Sequence, residues 1–134
     1  MLISTKGRYA LRVMIDLAEQ QSSGYIPLKE IAKRQNISQK YLESIMTMLS
    51  KNNLIEAVHG KGGGYRLNRA PKDYKAGEIL RLTEGTLAPV ACLEEGAGHC
   101  ANAAECRTLP MWTKLNEIVN AYLDSVSIED LVKM

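Results

Sequence analysis

The sequence contains no phenylalanine and only one tryptophan in 134 residues. A core therefore has to be assembled from Leu, Ile, Val, Met and Ala, a set that favours helices. No apolar run approaches the length of a membrane span, and charges at Lys6, Arg8, Arg12 and Asp16 interrupt the N-terminal segment. That segment lacks the unbroken apolar run of a signal peptide. We therefore expect a soluble, cytoplasmic protein of one domain without a membrane partner.

Cysteine is also scarce, since the chain has three. An odd number in a reducing cytosol argues against a disulfide framework. All three, Cys92, Cys100 and Cys106, lie in one segment, residues 92–106, which is rich in glycine and alanine and also contains His99. This clustering indicates a shared task for the three thiols.

Charge is divided unevenly along the chain. Residues 1–75 contain 13 Lys and Arg against 6 Asp and Glu, whereas residues 76–134 contain 4 against 9. A basic region attracts polyanions such as nucleic acid, although charge runs are more often simply solvated faces. The asymmetry favours a nucleic-acid surface in the first half, because it coincides with the motifs described next.

The first half has the pattern of a helix-turn-helix. Apolar residues at helical spacing predict helices over Thr5 to Gln20, Leu28 to Gln35 and Tyr41 to Asn52. Residues 36–38 separate the last two, and Ser38 is a suitable N-cap for the third. A plain helical hairpin has the same pattern, so the motif alone only suggests DNA binding. The outward residues early in the third helix, able to bond to bases or phosphates, are Gln39, Lys40, Glu43 and Ser44.

A β-hairpin is predicted directly after the third helix. Residues 54–59 (LIEAVH) and 65–68 (YRLN) are β-capable and flank the turn GKGGG at residues 60–64. Three consecutive glycines permit positive φ and let backbone N–H groups approach a phosphate closely. The turn is not a nucleotide-binding P-loop, because no Gly-Lys-Ser/Thr follows and no helix opens after it.

His59, Lys61 and Arg66 are expected around the tip of this hairpin. A hairpin after a helix-turn-helix is the arrangement of a winged helix. We therefore predict a mainly α-helical fold with a small β-wing, in which residues 1–75 form a winged helix-turn-helix DNA-binding region.

Residues 76–134 are predicted to perform another task within the same compact domain. Residues 76–84 and 110–126 read as a short and a long helix, and Ser127 to Asp130 is a capping-box variant that opens a short last helix. The long helix has more apolar surface than so small a chain easily buries, so we interpret it as a dimerisation helix rather than a core helix. Its near-heptad stripe comprises Met111, Leu115, Ile118, Val119, Tyr122 and Leu123.

The cysteine spacings, Cys-x7-Cys and Cys-x5-Cys, bear on what the thiols bind. Thiolates select iron–sulfur clusters or zinc, and structural zinc sites usually contain a close ligand pair that is missing here. The longer spacings suit a cluster, while zinc, a thiol redox switch and inert cysteines stay open as alternatives. A thiol-based enzyme or redox relay has only Arg107 beside Cys106 in its favour and no CxxC motif, so we do not expect an enzyme.

Several stretches together resemble the IscR, NsrR and CymR family of bacterial regulators. They are STKGRYALRVMIDLA, IPLKEIAKRQNISQKYLESIMTMLSKNNLI, VHGKGGGYRLNRAP, AGEILRLTEG and LDSVSIEDLV, which cover nearly the whole chain. The most specific parts are GGGY after the wing turn and YLE of the third helix. The resemblance implies a homodimeric winged-helix transcription factor whose long helix crosses between subunits, bound to a pseudo-palindromic double-stranded DNA operator.

This resemblance also assigns roles on the DNA-facing side. Gln39, Lys40 and Glu43 are expected to read bases. IscR-like wings carry arginine at the place of His59, so the preferred operator is expected to differ, because histidine is shorter and mostly neutral at pH 7. The residues expected at phosphates or in the minor groove are Ser4, Lys6, Tyr41, Lys61, Gly62 and Gly63.

IscR-like and NsrR-like members hold an iron–sulfur cluster on three cysteines at the place of Cys92, Cys100 and Cys106. The resemblance therefore implies the cluster-binding branch, with a two-iron cluster favoured over a four-iron one. The histidine that IscR-like members use as fourth ligand is replaced here by Leu109. The acidic ligand that some NsrR-like members take from the other subunit is replaced by Arg8. Candidates for the fourth ligand are His99 and Glu105, with Glu94, Glu95 and Asn102 behind them.

The function expected from these residues is that of a regulator, most simply a repressor, whose DNA affinity depends on the cluster. It would sense cluster status, redox state or nitric oxide. CymR-like members lack the cysteine trio, and the alternative is a regulator of that kind, controlled by a protein partner or by thiol oxidation without a cluster.

Overall fold

A computed structural model describes residues 2–98 and 102–134. Within these ranges the chain is mainly helical with one small antiparallel sheet, as the sequence predicts. The order of elements is α1 (Thr5–Glu19), α2 (Leu28–Gln35), α3 (Gln39–Lys51), β1 (Ile55–Val58), β2 (Gly64–Leu67), α4 (Ala76–Glu84), α5 (Leu109–Ser125) and α6 (Ile128–Lys133).

Helix α1 is at the centre of the molecule. Ser4 is its N-cap, and the Ser4 hydroxyl accepts from Gly7 N. Its apolar stripe of Ala10, Val13, Met14 and Leu17 is at most 1% exposed. Because α1 contacts α2, α3, β2, α4 and α6, this stripe forms the seam that joins both halves of the chain.

Helices α2 and α3 form the expected helix-turn-helix. Asn36 ends α2 in the left-handed conformation, with φ of 53°, which reverses the chain within three residues. The Ser38 hydroxyl then accepts from Tyr41 N and caps α3. The predicted start of α3 at Tyr41 is therefore two residues late, because the cap directly precedes Gln39, and Gln39 and Lys40 lie inside the first turn.

Strands β1 and β2 form the wing, with Ile55 opposite Leu67 and Val58 opposite Gly64. A Cβ at Gly63 would overlap the carbonyl oxygen of Val58, so the turn needs glycine there for backbone contact across the hairpin. The loop before α2 contributes to this sheet, since Ile26 exchanges two backbone hydrogen bonds with Tyr65, at 2.8 and 2.9 Å. A single bridge leaves no alternating pattern in the sequence, which is why it was missed.

The second half closes on the first through α4 and α6. Ala76 N donates to Val126 O at 2.8 Å, and Ile128 N donates to Tyr74 O at 3.0 Å. The predicted capping box at the start of α6 is present, with Ser127 and Asp130 bonded reciprocally. None of the helices in the described ranges is long and apolar enough to cross a membrane.

Helix α5 lies against α4 through polar contacts. Arg81 donates to Asn120 Oδ1 at 2.8 Å and to Asp124 Oδ2 at 2.8 Å. Counting only contacts within the described part of the chain, no residue of α5 is buried. Met111, Ile118 and Tyr122 of its apolar stripe are exposed in the single chain and the other three residues are partly buried, in contrast to the buried stripes of α1 and α3.

Candidate functional site

The exposed face of α3 carries the residues expected to read bases. Gln39, Lys40 and Glu43 are all exposed, while the opposite face is buried in the core. Tyr41 is 37% exposed, and its carbonyl oxygen accepts from the Ser44 hydroxyl at 2.7 Å. The arrangement displays donors and acceptors on the first turns of a helix whose other side is anchored. Such a helix suits entry into a major groove.

A buried carboxylate fixes the helix-turn-helix to α1. Asp16 is 3% exposed and accepts two hydrogen bonds from the Arg34 guanidinium, at 2.8 and 3.0 Å. The Gln35 side-chain amide donates a third at 2.9 Å. Sequence reasoning missed this cluster. The available signal was a charged residue at helical spacing within the apolar stripe of α1.

An open groove of about 390 Å³ lies between the start of α1 and the turn before α3. The rings of Tyr9 and Tyr41 meet edge to face in it, 5.8 Å apart between centroids. The Arg12 guanidinium lies 5.0 Å from the Tyr9 centroid. The contact joins Tyr41, one of the expected phosphate ligands, to α1. The lining residues are Thr5, Tyr9, Asn36, Ile37, Ser38 and Tyr41.

The wing tip displays His59, Lys61 and Gly62, which are all exposed. Gly62 has a φ of 79°, which a side-chain-bearing residue rarely adopts. Arg66 does not join this tip, contrary to expectation. Its Nε donates to Glu56 Oε2 at 2.7 Å, and its guanidinium lies 4.4 Å from the Tyr25 centroid.

A second groove, of about 200 Å³, separates α3 from the wing. The Tyr65 phenol faces this space, and burial together with the negative charge of Glu43 raises its pKa. The wing and the outward face of α3 therefore lie side by side as one surface. Its groove residues are Met46, Thr47, Ser50, Lys51, Ala57, His59 and Tyr65.

The start of α1 carries the last two expected DNA contacts, Ser4 and Lys6. The Ser4 hydroxyl donates to Glu84 Oε2 at 2.7 Å while it caps the helix. Lys6 is half-buried in the first turn of the same helix. The hydroxyl of Ser4 is thus engaged within the protein, and a phosphate contact by Ser4 stays a prediction.

Two of the three cysteines lie within the described residues. Cys92 is exposed in a 3₁₀ turn, Ala91–Leu93, and Cys106 is half-buried just before α5. Cys106 Sγ lies 3.5 Å from the Thr108 hydroxyl. Hydrogen bonds from the Thr108 hydroxyl and then from the Thr108 and Leu109 N–H groups lower the pKa of the Cys106 thiol, which favours the thiolate form.

Cys100 and His99 lie outside the described residues. Glu105, the other candidate fourth ligand, is exposed. Across residues 2–98 and 102–134, no three His, Cys, Asp or Glu side chains converge to hold a metal ion. An exposed thiol and a thiol that favours the thiolate are nonetheless the donor chemistry that an iron–sulfur cluster requires.

Known proteins resemble this chain over nearly its whole length. The family model described as Rrf2, iron-dependent transcriptional regulator, matches residues 3–134. The regulator IscR of Xenorhabdus nematophila is 36% identical over 133 residues, covering 99% of this chain and 80% of that protein. IscR of Klebsiella pneumoniae is 34% identical over 132 residues, covering 98% and 80%.

Solved structures of similar regulators share the fold. CymR of B. subtilis, described as the global cysteine regulator, has a TM-score of 0.84 at 34% identity and covers 99% of this chain and 97% of its own. IscR of T. potens has a TM-score of 0.77 at 35% identity and covers 99% and 87%. CymR of Staphylococcus aureus in its oxidised form has a TM-score of 0.75 at 34% identity and covers 100% and 98%.

Proposed function

The chain belongs to the Rrf2 family of transcriptional regulators, and on that premise we propose that it is a homodimeric repressor that binds a pseudo-palindromic DNA operator under the control of an iron–sulfur cluster. Members of this family are DNA-binding regulators and not enzymes.

One observation carries the DNA-binding part of the proposal: α3 and the wing lie side by side across one groove, and each exposes polar residues. Gln39, Lys40 and Glu43 occupy the exposed start of α3, and Lys61 and Gly62 occupy the exposed tip of the wing. In winged helices the first surface reads base edges and the second contacts backbone or minor groove. The basic balance of residues 1–75 supports the same assignment.

The homodimer is supported by the uncovered stripe of α5. Met111, Ile118 and Tyr122 are 54%, 54% and 62% exposed, and their spacing of seven and four residues places them along one face. An exposed apolar face of this length on a small chain marks a protein interface. A second copy is the occupant we propose, because a two-fold dimer presents two copies of α3 to successive major grooves.

The cluster is assigned to Cys92, Cys100 and Cys106, with His99 or Glu105 as the fourth ligand. The support is the thiol chemistry described above and the similarity to proteins named IscR. When bound, a cluster supplies a centre that responds to iron supply, oxidants or nitric oxide. We favour the two-iron form over the four-iron form.

A route from the cysteine segment to the DNA-facing surface exists through α4. The segment lies between α4 and α5, and Arg81 of α4 joins α5 through Asn120 and Asp124. Helix α4 in turn packs on α1, which supports the helix-turn-helix. A coupling of about 1–3 kcal/mol along this route would change DNA affinity roughly 5–150-fold.

A second candidate is a regulator like CymR, controlled by thiol oxidation or by a protein partner and lacking a cluster. The observation in its favour is the TM-score of 0.84 to CymR of B. subtilis at 34% identity. Both candidates share the DNA-binding surface and differ only in what the cysteines do.

The deciding experiment is to purify the full chain without oxygen, record its absorption spectrum and assay iron and sulfide on the same sample. We expect a brown protein with matched iron and sulfide, in a ratio per chain that distinguishes two-iron from four-iron. A variant with Cys92, Cys100 and Cys106 all changed to Ala is the control and should be colourless. Colourless wild type after reconstitution with iron and sulfide would reject the cluster and support the second candidate.

The DNA-binding part is tested by selection of duplexes from a random-sequence pool, followed by titration of the recovered duplex. We expect a two-fold-related motif, bound by the wild type more tightly as salt is lowered. Failure to enrich any motif, together with salt-independent binding, would reject the proposed DNA-binding function whatever the cysteines bind.

A further inference from the structure

A carboxylate at the end of α4 holds the beginning of α1. Glu84 accepts hydrogen bonds from the Ser4 backbone N–H and from the Ser4 hydroxyl, the latter at 2.7 Å. Ser4 Oγ also accepts from Gly7 N at 3.0 Å, as the N-cap of α1. A chain of hydrogen bonds thus runs from α4 into the first turn of α1, between residues 80 positions apart in the sequence.

The two helices meet closely at this point. A Cβ on Gly7 would lie 3.0 Å from Thr83 Oγ1 and 3.3 Å from Glu84 Cδ, so glycine is what lets α1 approach the last turn of α4. Burial raises the pKa of the Glu84 carboxyl, but the hydrogen bonds from Ser4 and Thr83 outweigh it and hold the pKa below its ordinary value. Glu84 is therefore ionised at neutral pH.

An ionised carboxylate at this place opposes DNA binding by charge alone. The first turn of α1 is part of the surface expected at phosphate, and a negative charge there repels the DNA backbone. A carboxylate near a helix N-terminus does stabilise the helix, both through the macrodipole and by accepting from unpaired N–H groups. Any contribution of Glu84 to DNA binding therefore has to come from ordering the first turn of α1 and not from its charge.

We infer that Glu84 is a positioning residue for DNA binding, which holds the first turn of α1 so that Lys6 is presented to a phosphate. This inference rests on the proposed function and deepens it. The Ser4 hydroxyl donates to Glu84 and caps α1, so Ser4 connects the carboxylate to the first turn of the helix. Lys6 makes the phosphate contact. Without the carboxylate the first turn frays and the contact is lost.

The test compares Glu84→Ala with Glu19→Ala in the full chain. Both changes remove one negative charge from the neighbourhood of α1, but Glu19 is exposed at the opposite end of that helix. By charge alone, both variants should bind DNA slightly more tightly than wild type. Positioning predicts that Glu84→Ala binds about fivefold more weakly, because Ser4 loses its hydrogen bonds to the carboxylate, while Glu19→Ala does not weaken binding. The probe is the duplex recovered from the random pool by the wild type.

Two further readouts separate positioning from a general loss of stability. Glu84→Ala should reduce the slope of log affinity against log salt by about 0.9, because one phosphate contact is lost. Hydrogen exchange should become faster at the amides of the first turn of α1 and stay unchanged in α3. Glu84→Gln, which keeps an acceptor for the Ser4 N–H, should restore most of the affinity.

Equal affinities and equal salt slopes for Glu84→Ala and Glu19→Ala would overturn the inference and leave the proposed function intact. A uniform acceleration of exchange across α1 and α3 would also overturn it, since Glu84 would then be a general stability residue. A wild-type protein that binds neither the recovered duplex nor an unrelated one at low salt would overturn both the inference and the DNA-binding proposal.

Discussion

Helices α3 and α5 are both amphipathic, yet their exposed faces have opposite chemistry. The apolar stripe of α3, formed by Leu42, Ile45, Met46 and Leu49, is completely buried, and the exposed start of the helix is polar. Three apolar residues of α5, Met111, Ile118 and Tyr122, remain more than half exposed in the single chain, while its Asn120 and Asp124 contact α4. A helix with a covered apolar face can only offer polar groups, whereas an uncovered one retains binding free energy for another protein surface. The two helices are thus fitted for different partners.

The supports of the two helices differ as well. α3 is fixed by its own core residues and, through Arg34 of α2, by a buried carboxylate on α1. α5 is fixed by Arg81 with Asn120 and Asp124, which are partly or fully exposed and worth little individually. We therefore expect the half that contains α3 to be rigid in the single chain. Helix α5 should become more ordered when a partner covers its apolar residues.

Truncation of a buried isoleucine in α3 should lower the free energy of unfolding more than any other change. Ile45 is 0% exposed, so Ile45→Ala should lower the free energy of unfolding by about 2–5 kcal/mol, measured by urea unfolding. The matched control is Ile118→Ala in α5, where the side chain is 54% exposed. At high dilution this control should cost less than about 0.5 kcal/mol. An equal cost for both changes would mean that the α5 face is covered within one chain.

A charge on the α5 stripe should separate the subunits. Ile118→Glu should weaken dimerisation by about 2 kcal/mol or more, roughly thirtyfold in the dissociation constant, because a buried interface residue becomes an unpaired charge. Sedimentation equilibrium measures this directly. Glu117→Gln on the same helix, where the side chain is 65% exposed, should leave the dimer unchanged. A dimer that tolerates Ile118→Glu would place the interface elsewhere.

Removal of the buried hydroxyl of Tyr74 should loosen the base of the wing. Tyr74 Oη accepts from Asn68 N at 3.0 Å and from Arg69 N at 3.1 Å, and donates to Leu54 O at 2.8 Å. Tyr74→Phe leaves these backbone groups without their partner and should cost about 1–3 kcal/mol at pH 7. Tyr122→Phe, on a ring that is 62% exposed, should cost much less.

The same substitution should change the stability at high pH. Burial raises the pKa of Tyr74, against the effect of its hydrogen bonds from Asn68 and Arg69, so the neutral phenol is favoured in the folded state. In the unfolded chain the pKa of a tyrosine is about 10. The contribution of Tyr74 is therefore complete below that pH and is lost as pH rises through the raised folded pKa. The free energy of unfolding, measured in urea between about pH 8 and 11, should decline less steeply with pH for Tyr74→Phe than for wild type. Parallel declines would contradict this assignment.

Glu43→Ala tests whether the exposed face of α3 reads sequence. We expect discrimination at one position of each half-site to fall by about 1–3 kcal/mol, because a base-edge acceptor is lost. Competition between the recovered duplex and single-base variants measures it. Glu129→Ala on α6 removes the same charge far from this face and should leave every base preference unchanged. Unchanged preferences in Glu43→Ala would remove Glu43 from the readout.

Lys61→Ala should have the smallest effect. It should weaken binding to all sequences alike and reduce the slope of log affinity against log salt by about 1. Lys114→Ala on α5, whose side chain is 71% exposed, is the matched control for charge. The same slope change in both variants would indicate attraction by overall charge and no specific phosphate contact at the wing tip.

The boundaries of most elements were predictable because their signals are local. Ser4, Ser38 and Ser127 cap helices where their short polar side chains precede apolar stripes, and each is a cap in the structure. The start of α3 was placed two residues late because the buried stripe begins later than the cap. The pairing of Ile26 with Tyr65 joins residues 39 positions apart and has no local signature.

The exposure of the side chains that we expect to read bases was also predictable, since helical spacing places Gln39, Lys40 and Glu43 opposite the buried stripe. Their contact with DNA stays a prediction. Arg66 shows the limit of such reasoning. Its position beside the glycine turn suggests a phosphate contact, but Glu56, directly opposite on β1, holds it instead. Cross-strand register decides this, and register depends on the exact length of the turn.

Local patterns along the chain encode the winged helix-turn-helix, the polar face of α3 and the gathering of three cysteines in one segment. Periodicity, capping residues and glycine turns are properties of neighbouring residues, so they can be read along the chain. Only the tertiary structure decided that Asp16 anchors Arg34, that Tyr74 joins the wing to α6 and that Glu84 holds Ser4. These contacts connect residues far apart in the chain, and their partners are selected by the packing of α1, which no local pattern encodes.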